Sequence, residues 1–595
     1  MIVQIRIEQV LIIGLTLGQW RLIPRFCLVI LAILGGFCQL TSATTSVNKI
    51  GIQLVQAEPS LWEAELRQAR ELRNEGKLKD AIAIYQQILA QEPEQKDAKM
   101  GLALTLAWDN QLDSSLKLYQ ELIKDEPDNL ELLLQLATVY SWKGDFKGAI
   151  ATYQQIIKLD STNRAAKLGL AEAYGWNSEF DAAIATYQEI LKTEPDNLTL
   201  KLKIAQLLGW ADRLDAALGL YEKIVAQHPE SSKALAGRAQ ITFWLGKPIR
   251  AIALYKQALE TFPDDPELIV GLAKVYHTQQ ASGKALKLIE PLVKSGDRDA
   301  NKLLAEIKKS FNSRVQFGFN TLTDSDDLTS QTYTGKFNTF IAPQSQLELE
   351  VNRSDIKQPN FDPTTATIYN LSLNQVIDSQ WQISGGLGIT DFSSDHLWYL
   401  RSRWQPTDKI SLYAQVNHQP LGATVETINN EISLTSYSIG GDFTLDDKSQ
   451  LGLGIEQAIF NPDNRRDGIF LYANRILLVK PFRLEFGYLF RNLGYRNTPG
   501  LGYFSPSQFV QHGALVSVNL PLDKTLNLFS RNLIGIQQIN EGDRELSLDL
   551  TTGLNWQFSP QTSLKMQYHH FNISATQGGG GYKADEFSTQ LLWKF

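Results

Sequence analysis

Cysteine is almost absent: the 595 residues hold two, Cys27 and Cys38, both in an N-terminal apolar region. Loss of that region would leave a mature chain with none. A disulfide framework, thiolate metal sites and a cysteine nucleophile are then excluded together. Long apolar runs are missing as well. After residue 40 no segment is apolar enough to cross a bilayer as a helix, which takes about 20 residues. Charge of one sign is not in excess: 57 Lys and Arg face 64 Asp and Glu, a net charge of −7. That balance gives no sign of a basic nucleic-acid surface. With 10% aromatic residues the chain is not a disordered polyelectrolyte either. No metal-ligand cluster, glycine-rich phosphate loop or basic-aromatic patch appears, so no metal, cofactor or nucleic-acid partner is implied. What is there exceeds one ordinary domain in length.

Residues 1–57 have the texture of a targeting segment and short linker. Arg21 and Arg25 precede an apolar run from Phe26 to Phe37. As a helix that run is about 18 Å long, too short for a hydrocarbon core of about 30 Å. Its length suits the apolar region of a signal peptide. Thr41-Ser42-Ala43 and Val55-Gln56-Ala57 are possible cleavage sites, and a retained membrane anchor is the alternative.

From about residue 58 the chain repeats with a period of 34. Tyr85, Tyr119, Tyr153, Tyr187, Tyr221 and Tyr255 form one column. Ala69, Ala103, Ala137, Ala171, Ala205, Ala239 and Ala273 form another, and Ala81 to Ala285 a third. Pro93, Pro127, Pro195, Pro229 and Pro263 close most units. Units start at Trp62 and fill 62–299, and a last helix over 301–310 caps them. This resembles the tetratricopeptide repeat family, in which each unit is a pair of antiparallel helices. Small residues let the helices approach, tyrosines fill the space between pairs, and the units stack because none can bury its apolar face alone. A less usual column is Trp108, Trp142, Trp176, Trp210 and Trp244, at the end of the first helix of five units. Packing under the turn is the simpler reading. The functional one is a stripe of stacking platforms for sugars or a partner peptide.

Over 311–595 the period changes from helical to two. Ser345 to Asn352 alternates polar and apolar residues strictly, as does Arg544 to Thr551. Sixteen such runs follow one another, the last over 586–595. Short turns such as Asp446-Asp447-Lys448 and Val479-Lys480-Pro481 follow even runs. Longer connections follow odd ones: Lys357 to Ala366, Asn461 to Asp467, Tyr495 to Gln508 and Ala575 to Asp585. This is the pattern of an outer-membrane barrel, and strands span lipid only when closed into one. The expected fold is an all-α repeat solenoid (58–310) followed by a 16-stranded antiparallel transmembrane β-barrel (311–595). An even strand count puts the C-terminus and the repeats on one side, the periplasm. Alternation turns Glu348, Glu350, Arg401, Arg403, Arg483, Glu485, Glu545 and Asp549 toward the lumen as pore-lining candidates. Ion pairs bracing the wall are the simpler role for each.

The last run, Phe587, Thr589, Leu591, Trp593 and Phe595, ends on a terminal phenylalanine. It resembles the insertion signal of outer-membrane barrels, which implies the barrel assembly machinery as a partner. The two halves together resemble polysaccharide-export porins of biofilm systems. Among these are the poly-N-acetylglucosamine porin and the outer-membrane component of cellulose synthase. Tyr140-Ser141-Trp142-Lys143-Gly144-Asp145 and Phe243-Trp244-Leu245-Gly246-Lys247 also look like YaiO-type outer-membrane proteins. The resemblance implies a non-enzymatic porin in the outer membrane of a diderm bacterium. Its periplasmic repeats would bind polysaccharide or periplasmic and inner-membrane synthase components. Gly578 to Gly581 would be a mobile lid or a plain surface loop. Three other classes are open. A scaffold would use the barrel as an anchor, and a general solute porin would need no repeats. A lipid-modifying barrel enzyme would use His569 or His570, only one of which faces the lumen, with Ser563 or Ser574 nearby.

Overall fold

The structure is a computed structural model that describes residues 62–574 and 581–595, apart from 499 and 502. The expected signal segment, both cysteines and most of the glycine-rich stretch at 575–580 lie outside the described residues. Among the described residues fifteen helices come first. The first helices of the units are α1 (Glu63–Asn74), α3 (Lys96–Trp108), α5 (Leu130–Lys143), α7 (Arg164–Trp176), α9 (Leu198–Trp210), α11 (Ser232–Trp244) and α13 (Pro266–Thr278). The second helices are α2 (Leu78–Gln91), α4 (Leu112–Asp125), α6 (Phe146–Leu159), α8 (Phe180–Leu191), α10 (Leu214–Gln227), α12 (Pro248–Thr261) and α14 (Ser282–Lys294). Helix α15 (Arg298–Ser310) covers the end of the stack.

Each unit is specified by residues recurring at 34. Asn129, Asn163, Asn197, Ser231 and Asp265 cap α5, α7, α9, α11 and α13, their side-chain oxygens accepting from backbone N–H groups of the first turn. Both small-residue columns are sealed from solvent, from Ala69 to Ala273 and from Ala81 to Ala285. A third column gets its role only from the fold. Gly101, Gly169, Gly237 and Gly271 are each overlain by the ring of the tyrosine sixteen residues earlier, so that a Cβ would collide with it. Between the first and second helix of each unit the chain takes a left-handed residue: Gly76, Asn110, Gly144, Ser178, Asp212, Gly246 and Gln280.

Sixteen strands follow: β1 (Arg314–Asp324), β2 (Thr329–Ala342), β3 (Ser345–Lys357), β4 (Thr364–Val376), β5 (Trp381–Thr390), β6 (Leu397–Thr407), β7 (Ile410–Pro420), β8 (Ser433–Asp446), β9 (Ser449–Asn461), β10 (Asn464–Leu478), β11 (Arg483–Tyr495), β12 (Phe509–Pro521), β13 (Leu526–Ile539), β14 (Arg544–Gln557), β15 (Thr562–Ser574) and β16 (Gly581–Lys594). They pair in sequence order into a closed antiparallel barrel. The seam runs from Arg314 opposite Lys594 to Asp324 opposite Ala584. Phe317, Leu349, Val351, Leu371, Leu387, Leu400, Ile439, Ile455, Phe486 and Ile534 stand exposed on the outer surface. Apolar side chains outside and polar ones inside invert a soluble core, as lipid requires.

Two connections differ from expectation. Asn461 to Asp467 is no long loop: β9 ends at Asn461 and β10 starts at Asn464. Strand β16 starts at Gly581 and not near 586. In both places charged residues interrupt the apolar alternation while the ladder continues. Arg465 and Asp467 pair with each other at 2.9 Å at this rim, where an outward side chain need not be apolar.

Candidate functional site

The first element of the site is a groove in the repeat array. Gln206 and Trp210 from α9, Gln240 and Trp244 from α11, and Val270 and Lys274 from α13 line a cleft of about 570 Å³. Asp265, Glu267, Asp297 and Asp299 border it. Glu267 keeps part of its surface in solvent, yet desolvation by the helices beside it, with the nearby Asp265 carboxylate, raises its carboxyl above the usual range. The five tryptophans are 37%, 44%, 67%, 44% and 43% exposed in chain order. Three of them touch other side chains or backbone of the array. Trp210 lies 6.5 Å from the Phe180 ring, Trp108 carries the Arg73 guanidinium at 5.3 Å, and Trp244 lies over Gly209.

The second element joins the two halves. The Asp408 carboxylate, in the β6–β7 turn, accepts from the Ile249 and Arg250 amides at 2.7 and 3.0 Å. It thereby caps α12, whose own N-cap residue Lys247 supplies no side-chain bond. An anion at a helix N-terminus satisfies free N–H groups and the helix dipole together. Lys480, in the β10–β11 turn, pairs with Asp212 at 3.6 Å. Gln344, in the β2–β3 turn, lies against Gly283 at the start of α14. Phe311 and Phe340 meet at 5.1 Å where the array enters the barrel. The three turns are four strands apart in a ring of sixteen. The last three units therefore follow the barrel rim over half its circumference. All three contacts come from the same edge of the array, the turns between first and second helices.

The third element is the lumen. Strand alternation, with Leu349, Val351, Leu400, Trp404, Phe486 and Leu546 outward, places all eight predicted charges on the inner face. Most are engaged locally. Glu350 pairs with Lys336 at 2.8 Å, and Arg483 pairs with Glu485. Arg401 donates to Gln415, and Arg403 to Ser411. Asp549 meets His569 at 3.0 Å, and the other His569 nitrogen meets Glu586 at 3.2 Å. Both ring nitrogens are thus taken by carboxylates, leaving none to activate a serine hydroxyl. His570 faces the other side, against Asp585. Phe587, Leu591, Trp593 and Phe595 lie on the outer surface, and the Phe595 amide donates to Ser313 across the seam.

At the rim far from the repeats a segment of chain packs against the inner wall. The chain between β7 and β8 turns inward and forms a short helix, α16 (Val425–Asn429), capped by Thr424. Val425 and Ile428 are buried against Leu328, Ile356 and Ala366, the last two on the inner faces of β3 and β4. That is a quarter of the circumference away. Farther along the same strap, Leu421 and Ile432 pack with Phe460 and Tyr495 of the β9 and β11 wall. Tyr503, from the β11–β12 loop, stacks on Phe460 at 4.7 Å in the same cluster. The inward strap was invisible in sequence. Its signal, an apolar Val425, Ile428 and Ile432 inside a polar connection, is shared with any buried loop.

Fold and site together define a class: helical repeats docked on the rim of a closed barrel, apolar outside and polar within. One tetratricopeptide-repeat family model matches residues 72–138, 106–156, 177–241 and 245–307, and a second matches 134–198. The helical half is thus an array of tetratricopeptide repeats. No curated protein matches the chain in sequence. Among solved structures, a bacterial polysaccharide outer membrane secretin aligns with 48% of this chain and 99% of its own, at 9% identity and a TM-score of 0.43. A tetratricopeptide repeat protein from Parabacteroides merdae aligns with 41% of this chain and 97% of its own, at 18% identity and a TM-score of 0.36. The MamA protein aligns with 28% and 92%, at 24% identity and a TM-score of 0.25.

Proposed function

We propose that this protein is an outer-membrane conduit through which a polysaccharide leaves the cell, with its repeats in the periplasm. The observation that carries the proposal is a polar-lined barrel with a repeat array fastened along one rim. A passive solute pore needs no docked array, whereas a conduit for a long chain gains from one that gathers the chain at the entrance. Charges in the lumen are largely paired within the wall, which suits polar cargo of low charge that slides by weak contacts. The repeats would receive the polymer or engage periplasmic and inner-membrane synthesis components. The barrel would be set in outer-membrane lipid by the assembly machinery reading Phe587 to Phe595. No chemistry on the cargo is required of it.

The inward strap favours one other reading, an anchored scaffold whose barrel carries nothing. Planar-bilayer conductance separates the two. Export expects a barrel that is closed or weakly conducting as isolated and conducts once residues 423–430 are removed. A barrel silent in both forms supports the scaffold. In cells, loss of residues 62–299 should abolish surface polysaccharide, and unchanged secretion would remove the repeats from the mechanism.

A further inference from the structure

We propose that the column Trp108, Trp142, Trp176, Trp210 and Trp244 is a stacking track for a glycan chain, running along the repeat array and ending beside the barrel mouth. The proposal rests on the export reading and names the surface that would serve it. The decisive comparison is between two aromatic columns of the same array. The tyrosines from Tyr85 to Tyr255 are at most 6% exposed, as residues that hold units together must be. The tryptophans recur just as regularly yet leave 37% to 67% of their surface in solvent. The contacts of Trp108, Trp210 and Trp244 account for only part of each indole's surface.

The chemistry around the indoles is that of a sugar site. A pyranose ring offers an apolar C–H face to stack on an indole and an equatorial rim of hydroxyls to bond. Gln206 and Gln240 recur beside Trp210 and Trp244, with Asp265 and Glu267 as acceptors across the cleft. Platforms that recur once per unit suit a ligand that repeats itself, which a peptide of varied sequence does not. The track also leads somewhere. Trp210 stands two residues before Asp212, and Trp244 five before Ile249, the points where barrel turns grip the array.

The test uses the full chain in detergent micelles. Indole fluorescence and calorimetric titration would follow cellohexaose, N-acetylated and de-N-acetylated chitohexaose, and mannohexaose, with mixed-sequence decapeptides as the competing class. At least one hexasaccharide should bind saturably. Trp176→Ala should weaken binding at least tenfold, and Trp176→Phe should retain most of it. Far-ultraviolet dichroism would confirm that both variants fold. Failure of all four sugars at millimolar concentration, preference for the peptides, or unchanged affinity in Trp176→Ala and Trp210→Ala would overturn the proposal. The bilayer measurement reports separately on export. A conducting strap-deleted barrel with sugar-blind tryptophans removes the track alone. A silent barrel whose repeats still bind sugar removes the conduit alone.

Discussion

Glycine-to-alanine substitutions at two helix-interior positions of the array should change stability in opposite directions. Alanine is ordinarily the better helix former by about 1 kcal/mol. At Gly219 in α10 an added Cβ meets nothing within 4 Å, so that gain is realised. At Gly271 in α13 the same Cβ would lie 2.6 Å from Cε1 of Tyr255. Tyr255 is 1% exposed, so its ring has nowhere to move. Overpacking of this kind costs about 1–3 kcal/mol, which outweighs the propensity gain. Gly271→Ala should therefore destabilise the array by up to about 2 kcal/mol, and Gly219→Ala should stabilise it by up to about 1 kcal/mol. For a domain of this size each kcal/mol is about 2–4 °C in midpoint. The assay is thermal unfolding of the full chain in micelles, followed at 222 nm, where the helices dominate. In a Tyr255→Leu background the penalty of Gly271→Ala should vanish, because the two residues share one space. Midpoints that rise in both single variants would refute the reasoning that tyrosine seats on glycine between units.

Other outcomes follow from the remaining contacts. Val425→Asp with Ile428→Asp would bury two carboxylates without partners, at a cost of several kcal/mol, so the strap should leave the lumen and single-channel conductance should rise. Asp408→Ala removes the only side-chain cap described on α12, at about 1 kcal/mol, and should slow disulfide formation between Asp212→Cys and Lys480→Cys relative to the pair alone. Glu267 should make the array less stable as pH rises. Its carboxyl is raised in the folded array, so the folded state binds that proton more tightly than the unfolded chain. Stability is then lost from the ordinary carboxylate value up through the raised one. Glu267→Gln should remove this loss, so its midpoint advantage over wild type should be larger at pH 7 than at pH 4.

The two periodicities made the architecture legible. A period of 34 with small residues and tyrosine in register leaves few alternatives to stacked helix pairs, because every column reports the same local contact. A period of two with short and long connections in alternation fixes strand direction, and hence which face each side chain takes. The inward placement of Glu348, Arg401 or Asp549 needs nothing more than parity. Strand ends were less legible. Near the rim the outward residues of β10 and β16 become charged, so the pattern stops while the hydrogen-bonded ladder does not.

Contacts between segments remote in sequence were decided only by the tertiary structure. Asp408 caps a helix about 160 residues away, Lys480 meets Asp212, and a strap from between β7 and β8 fills space walled by β3, β4, β9 and β11. None of these pairs shares a period, so no repetition in the chain announces it. The glycines under Tyr85 and Tyr255 lie between the two cases. Their spacing was present in the chain, but a missing side chain becomes a seat only when a ring is placed over it. Sequence alone determined the repeating units and the alternating wall, because each is set by local burial. How the array meets the rim, and what stands in the lumen, depends on surfaces that exist only once both halves have folded.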